Sequence, residues 1–122
     1  EQEDDVPEFD PRKDEDRAYL AAALTAYALG LRTEAILTSQ RRSPGEARAR
    51  HIAMYLLRTA LGMSLSRVAR SFNRDRTTVS YGCNLVEDLR DDPDFDIWIE
   101  QLSVGLSSVV ILDGATLEDL AP

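Results

Sequence analysis

Apolar residues recur along most of this chain at intervals of three and four positions, which is the period of an amphipathic α-helix. In the first such stretch the apolar face comprises Leu20, Ala23, Leu24, Tyr27 and Leu31. No segment shows the sustained alternation of apolar and polar residues that a half-buried strand would have. The pattern therefore predicts a compact all-α fold, with helices near residues 14–30, 46–61, 65–72, 75–90 and 93–108.

Two short motifs mark where helices should begin. Ser43-Pro44-Gly45-Glu46 combines an N-cap serine, a proline at the first helical position and a glutamate three residues after the cap. Asp92-Pro93 repeats the combination of cap and proline before the last long helix. Between the first helix and Ser43, Thr33 is a suitable cap for one additional short helix. The helix over 46–61 is the best defined, because its cap, period and terminator, Gly62, agree.

The helical pattern predicts one domain, residues 14–108, between two irregular ends. Residues 1–13 are acidic, contain two prolines and show no period, so we expect a disordered segment. Residues 109–122 are predicted to form a C-terminal tail that starts with four consecutive aliphatic side chains. Because such a run is an association hazard in water, we expect 109–112 to be buried, either against the protein's own helices or in a homodimer.

The central part of the chain has the dimensions of a helix-turn-helix. A short helix over 65–72 is followed by a three-residue turn, 73–75, whose last residue, Asp75, caps a longer helix. Ala69 is small enough for two helices to cross closely, and Val79 can fill the hinge between them. The first turn of the second helix is the part that reaches base edges in such motifs. A helix pair with a tight turn also occurs in small helical proteins that bind no DNA, so geometry alone leaves that alternative open.

The formal net charge of -8 argues at first against a nucleic-acid partner, but its distribution reverses that interpretation. Residues 38–80 carry nine arginines and only two acids, a net charge of +7, between flanks of net -6 and -9. Because a phosphate backbone responds to local charge, this basic block is a candidate binding surface. A solvated, arginine-rich helix face is the alternative.

Several other classes of protein fit the sequence poorly. Asp and Glu residues are plentiful but lie in solvent-facing runs, and no motif for a nucleophile is present, so we expect no enzymatic activity and no cofactor. A single cysteine, Cys83, and a single histidine, His51, argue against a structural metal site and an internal disulfide. No apolar stretch is long enough to cross a bilayer. We therefore expect a cytoplasmic protein.

One short segment carries a specific resemblance. Residues 74–79 read Arg-Asp-Arg-Thr-Thr-Val, which is similar to the signature Arg-Asp-His-Thr-Thr-Val of a known family. That family is the C-terminal helix-turn-helix domain of the bacterial chromosomal replication initiator DnaA. The similarity extends over residues 33–90, with the arginine-rich loop, the long helix and the short helix in the same order.

The resemblance implies two sets of contacts with double-stranded DNA. Arg42 corresponds to the arginine of the family's basic loop, which enters the minor groove. The positions that read bases in the major groove are Asp75, Arg76 and Thr77. The positions that contact the phosphate backbone are Arg50, His51, Arg58, Leu65, Thr78 and Tyr81. His51 can equally be a plain surface residue, and Tyr81 can simply pack.

Three departures from the family pattern bear on function. Arg76 replaces the signature histidine, which puts the family's own target sequence in doubt. Pro44 and Glu46 lower the positive charge of the basic loop, which should weaken phosphate binding. The chain contains no phosphate loop ending in Gly-Lys-Ser or Gly-Lys-Thr, so we expect a stand-alone protein without the family's ATPase domain.

We therefore expect a sequence-biased DNA-binding protein of the nucleoid that regulates replication initiation or transcription. The alternative is a protein-interaction module that binds a component of the replication-initiation machinery, which the acidic flanks and the apolar run 109–112 favour. The arginines distinguish the two, because a pure interaction module has no need for a set such as Arg42, Arg50, Arg58 and Arg76.

Overall fold

The computed structural model describes residues 10–38 and 43–120, and in these ranges every regular element is a helix. The elements are α1 (Pro11–Leu29), α2 (Thr33–Leu37), α3 (Pro44–Thr59), α4 (Leu65–Phe72), α5 (Arg76–Leu89), α6 (Pro93–Val110) and α7 (Leu117–Leu120). The predicted all-α fold is confirmed. None of the helices in the described ranges is long and apolar enough to cross a membrane.

Helix α1 begins three residues before the predicted start. The Asp10 side chain accepts a hydrogen bond from the backbone N–H of Arg12 at 3.0 Å, and Pro11 occupies the first helical position. Residues 10–13 therefore form the cap and first turn of a helix rather than the end of a disordered segment. The rest of that segment, residues 1–9, lies outside the described residues. At the other end Gly30 closes the helix with a φ of 70°, a conformation that favours glycine.

Helix α3 starts at the predicted capping box. Ser43 Oγ accepts a hydrogen bond from the Glu46 backbone N–H at 3.2 Å, and Glu46 Oε1 accepts one from the Ser43 N–H at 3.2 Å. The helix is the centre of the core, with Met54, Leu56 and Leu57 fully buried. It packs most extensively against α1 and α5, so the long helix supports the second helix of the helix-turn-helix from behind.

Helices α4 and α5 form the helix-turn-helix. Ser64 caps α4 by accepting a hydrogen bond from the Arg67 N–H at 3.2 Å, and Asn73 ends it in the left-handed conformation with φ 54°. Ala69 and Val79 are buried, as the crossing and hinge positions require. The turn is therefore only the stretch from Asn73 to Asp75, which caps α5.

An ion pair connects this unit to α1. Arg67 Nε and Nη2 donate to the two carboxylate oxygens of Asp14 at 3.0 Å and 2.8 Å. The side chains are only 12% and 5% exposed, respectively. Because this edge of the guanidinium binds both carboxylate oxygens and the two side chains are largely buried, the pair fixes the start of α1 against α4.

The C-terminal region differs from the predicted tail. Helix α6 continues to Val110, and α7 adds a single turn farther along. Val110 packs against the core, whereas Ile111 and Leu112 are 81% and 68% exposed. Val109 is also exposed, at 43%, so the expectation that the run 109–112 is buried against the protein's own helices is wrong for three of its four residues. Burial in a homodimer stays a prediction. A helix presents successive residues on different sides, so four consecutive aliphatic residues cannot share one buried face.

Candidate nucleic-acid interface

The first turn of α5 is built around one carboxylate. Asp75 Oδ1 accepts hydrogen bonds from the Thr78 backbone N–H at 2.8 Å and from Thr77 Oγ1 at 2.9 Å. The bond from Thr78, followed by the one from Thr77, lowers the pKa of Asp75. An ionised cap of this kind holds Thr77 in a defined orientation at the N-terminus of the helix.

Arg76 and Thr77 lie on the exposed side of that turn. Both residues are exposed, and among the described residues Arg76 has no hydrogen-bond or ion-pair partner. Asp75, also exposed, lies beside them. The structure therefore brings the three predicted base-reading side chains of the major-groove set to one surface. Their groups can donate to and accept from base edges. The fourth predicted base contact, Arg42, lies outside the described residues.

His51, Tyr81 and Gly82 form the contact between α3 and α5 next to that turn. A side-chain carbon added at Gly82 would lie 2.6 Å from His51 Cδ2, so only glycine allows this approach. Tyr81 is 62% exposed, and its ring meets the imidazole edge-on, with 6.3 Å between the centroids. Tyr81 is thus exposed to solvent while its ring packs against His51.

The surroundings of His51 disfavour the charged form of its imidazole. Burial is the main cause that lowers its pKa, and the nearby Arg50 and Arg48 lower it further. A neutral ring cannot attract a phosphate by charge and can only donate a hydrogen bond through one nitrogen. His51 therefore has a clear packing role against α5, and its surroundings oppose a charged contact with a phosphate.

Arg50 is placed differently from what the resemblance implies. It is only 8% exposed, and its Nε donates to the Ile36 carbonyl at 2.8 Å while Nη2 donates to the Ala35 carbonyl at 3.4 Å. Burial and then the proximity of Arg74 lower the pKa of Arg50. These donors serve the fold within the domain, so the structure does not present Arg50 with the exposed residues of α5.

The other predicted backbone contacts lie at helix junctions. Arg58 is half-buried and its Nη1 donates to the Met63 carbonyl at 2.8 Å, which braces the turn between α3 and α4. Leu65 is the first residue of α4, where backbone N–H groups at a helix N-terminus can meet a phosphate. Thr78 is half-buried, and its backbone N–H is already used by the Asp75 cap.

One residue with a structural role at this site was not assigned one from the sequence. Arg74 appeared only as part of the signature, but its Nη2 donates to the Thr38 carbonyl at 3.0 Å and its Nη1 to the Phe72 carbonyl at 3.3 Å. It therefore links the turn of the helix-turn-helix to the end of α2. The signal available in the sequence was its position directly before the cap Asp75.

Other chemistry is sparse in the described part of the chain. No group of three or more His, Cys, Asp or Glu side chains that could hold a metal ion occurs there. Cys83 is half-buried on α5, and burial raises the pKa of its thiol. A thiol of raised pKa in an apolar setting is a poor nucleophile, which agrees with a packing role for Cys83.

Comparison with known proteins gives a consistent family match. The model of the bacterial dnaA protein helix-turn-helix family matches residues 20–86. Over 66 residues the chain is 44% identical to the chromosomal replication initiator protein DnaA of Lachnoclostridium phytofermentans. This match covers 52% of this chain and 15% of that protein. Over 56 residues it is 43% identical to the DnaA of Gluconobacter oxydans, covering 45% of this chain and 12% of that protein. The chain thus spans a small part of the length of these relatives.

Two solved structures with the same fold support the same family match. A crystal structure of a DNA replication initiation factor superposes with a TM-score of 0.70 at 31% identity, covering 80% of this chain and 30% of the other. A replication initiator DnaA bound to AMPPCP and single-stranded DNA superposes with a TM-score of 0.69 at 30% identity, with the same coverage of 80% and 30%. The similarity therefore includes the arrangement of the helices as well as the signature.

Proposed function

This chain belongs to the bacterial DnaA helix-turn-helix family, a DNA-binding family of replication initiation, and on that premise we propose that it binds double-stranded DNA with a preference for particular sequences. The observation that carries the proposal is the exposed first turn of α5, with Arg76 unpartnered among the described residues and Thr77 oriented by the Asp75 cap. In helix-turn-helix proteins this turn enters the major groove.

Base reading is assigned to the side chains of that turn and to one residue of the basic loop. The Arg76 guanidinium can donate two hydrogen bonds to guanine, and the Thr77 methyl can contact thymine. Asp75 can accept a hydrogen bond from a cytosine amino group, in the orientation that capping α5 gives its carboxylate. Arg42 is proposed to enter the adjacent minor groove, as its match to the family's basic loop implies.

Backbone contacts are assigned to the residues around the turn. The donors are supplied by Thr78, Tyr81, the amide of Leu65 and the imidazole of His51. Contacts of this kind position a protein on the duplex without reading sequence. Arg58 is included as a charged contact. Arg50 is assigned no direct contact with a phosphate, because its Nε and Nη2 donate to carbonyls of α2. It contributes to binding only through the fold.

The biological role proposed is regulation of replication initiation or transcription at the nucleoid, without catalysis. The chain corresponds to 15% and 12% of the two DnaA relatives, so the activities of those whole proteins are not assigned to it. The second candidate is an interaction module for replication-initiation proteins or for another copy of the chain. The exposure of Ile111 and Leu112 favours it, because both aliphatic side chains lie in solvent.

The test is selection of bound sequences from a random duplex pool, followed by titration of the selected duplex over a range of salt concentrations. The charged side chains assigned to the duplex are Arg42, Arg58 and Arg76, so about three neutralised phosphates predict a log–log slope of about -3. Enrichment of one sequence together with that slope supports the proposal. Absence of enrichment and affinity that does not respond to salt would instead favour the interaction module.

A further inference from the structure

One face of α6 is apolar and remains exposed in the described part of the chain. Ile97, Val104 and Ile111 follow one another at intervals of seven residues and are 59%, 58% and 81% exposed. Ile111 caps the helix in the helical conformation, so it continues the same face. Gln101 and Ser108, which lie between the aliphatic residues, are exposed as well. Alternating intervals of four and three residues are the spacing of a coiled-coil seam.

This seam lies opposite the side that α6 already buries. Ile99 and Leu106 are fully buried in the core, where α6 packs against α1 and α3. Each of them follows a seam residue by two positions, which on a helix is a rotation of about 200°. A helix that is apolar on opposite sides is typical of one that packs between two partners. The domain itself supplies the partner on one side only.

The order of residues along the seam is what a second copy of α6 would require. Ile97 and Ile111 lie at equal distances on either side of Val104, and the polar positions Gln101 and Ser108 lie between them. Turned by a half rotation about Val104, the seam therefore places aliphatic on aliphatic and polar on polar residues. A two-fold interface needs this self-complementarity, because the same patch is used by both copies.

The charges of α6 favour an antiparallel pair over a parallel one. Asp94, Asp96 and Glu100 all lie in the N-terminal half of the helix, and residues 101–110 include no charged side chain. A parallel pair would set the two acidic halves side by side, where like charges repel. An antiparallel pair sets each acidic half beside the uncharged half of the other copy.

The C-terminal end of α6 also carries charges that suit this arrangement. Lys13 Nζ of α1 donates to Asp113 Oδ2 at 3.0 Å, and Asp16 and Arg17 line the same hollow. Two basic and two acidic side chains make this end nearly neutral. With Val104 at the centre, Asp94 of one copy lies level with the end that holds Lys13 in the other. The acidic end of each helix thus meets a surface that contains cations.

We propose that α6 is a dimerisation face that packs antiparallel against α6 of a second copy, with Val104 on the two-fold axis. A face about 21 Å long and about 10 Å wide is well below the ~800 Å² per partner of stable complexes. The dimer is therefore weak, with a dissociation constant in the micromolar range or above. Helix α6 follows the C-terminal end of α5, so the exposed first turn of α5 stays free in both copies.

Sedimentation equilibrium of the full chain without DNA tests the face, because the contact does not depend on the proposed DNA binding. Val104→Glu places two carboxylates at the axis and should weaken self-association roughly tenfold or more. Val109→Glu is the matched control, since Val109 is 43% exposed on the same helix and lies about 140° from Val104. It should dimerise like the wild type. Circular dichroism of both variants verifies that they remain helical.

Equal dissociation constants for the two variants would overturn the assignment to this face. A wild-type chain that is monomeric up to about 1 mM would overturn the second copy as the occupant and leave the face to a partner of another kind. Selection of duplexes decides the proposed function separately, so either idea can fail while the other stands.

Cysteine cross-linking in a Cys83→Ser background tests the orientation and keeps the side chains uncharged. Val104→Cys should form a disulfide with its own copy, because the two positions meet at the axis. Ile97→Cys should cross-link to Ile111→Cys when the two proteins are mixed, and neither should cross-link alone. A disulfide between two copies of Ile97→Cys would show a parallel pair and overturn the antiparallel arrangement.

Discussion

The described arginines of residues 43–80 each carry one formal charge, but they fall into two groups with different environments. One group is exposed and consists of Arg48, Arg70 and Arg76. The other is half-buried or buried and makes hydrogen bonds within the protein; it consists of Arg50, Arg58, Arg67 and Arg74. A basic stretch in a sequence therefore overstates the charge that a phosphate backbone would meet, and burial is needed to separate the groups.

The chemistry of the guanidinium explains the second group. It offers five N–H donors in a rigid plane, so one side chain can bind two carbonyls or both oxygens of a carboxylate. Helix ends supply unpaired carbonyls, and α2 and the turn after α3 attract Arg50, Arg74 and Arg58 for this reason. The two groups should respond differently to substitution.

The largest expected effect is on stability, at the buried ion pair. Arg67→Ala should lower the free energy of unfolding by about 3–5 kcal/mol, because it leaves Asp14 charged and buried without its partner. Arg76→Ala, at an exposed position, should change it by less than about 0.5 kcal/mol. Urea unfolding followed by circular dichroism measures both. Equal effects of the two substitutions would remove the distinction between the groups.

A smaller loss is expected where the helices approach most closely. Gly82→Ala would place a methyl group 2.6 Å from His51 Cδ2, which should cost about 1–3 kcal/mol and displace the interface residues around His51. Gly105→Ala is the control, since its added carbon meets no atom within 4 Å and should stabilise α6 by up to about 1 kcal/mol. Thermal unfolding of both variants tests this, and a neutral Gly82→Ala would contradict the close contact.

The smallest expected effect is a pH dependence from His51. Because the folded state lowers the pKa of this side chain, its neutral form adds stability that is fully present above the unfolded pKa of about 6.5. That contribution should be lost as the pH falls from there through the folded value. His51→Gln should flatten this part of the stability curve. The only histidine of the chain also gives a single NMR titration, and a midpoint above about 6.5 would contradict the prediction.

The helix boundaries show why the sequence predicted most of the fold. At Ser43 the cap, the proline and the apolar period coincide, and the helix starts there. The same cap-plus-proline signal occurs at Asp10-Pro11, but the acidic composition of residues 1–13 outweighed it, and the start of α1 was placed too late. Local hydrogen-bond chemistry was the better guide there, because a cap depends on two or three residues and not on average charge.

The interface was predictable only in part, for a related reason. Exposure of Arg76 and Thr77 follows from their place in the first turn of α5, which the local pattern fixes. The internal hydrogen bonds of Arg50 depend on carbonyls 14 and 15 positions earlier in the chain, which no local pattern specifies. The family resemblance implied a phosphate contact for Arg50, whereas tertiary packing directs its side chain to the carbonyls of α2.

The most direct test of the central claim, that exposed Arg76 reads sequence, is titration of three proteins against the selected duplex and a scrambled one at two salt concentrations. Arg76→Ala should remove about 1–3 kcal/mol of discrimination and leave the scrambled duplex less affected. Arg58→Ala should weaken both duplexes equally and reduce the salt slope by about one. If Arg76→Ala still distinguished the selected duplex from the scrambled one as well as the wild type does, the claim would be contradicted. Base reading would then belong to another side chain.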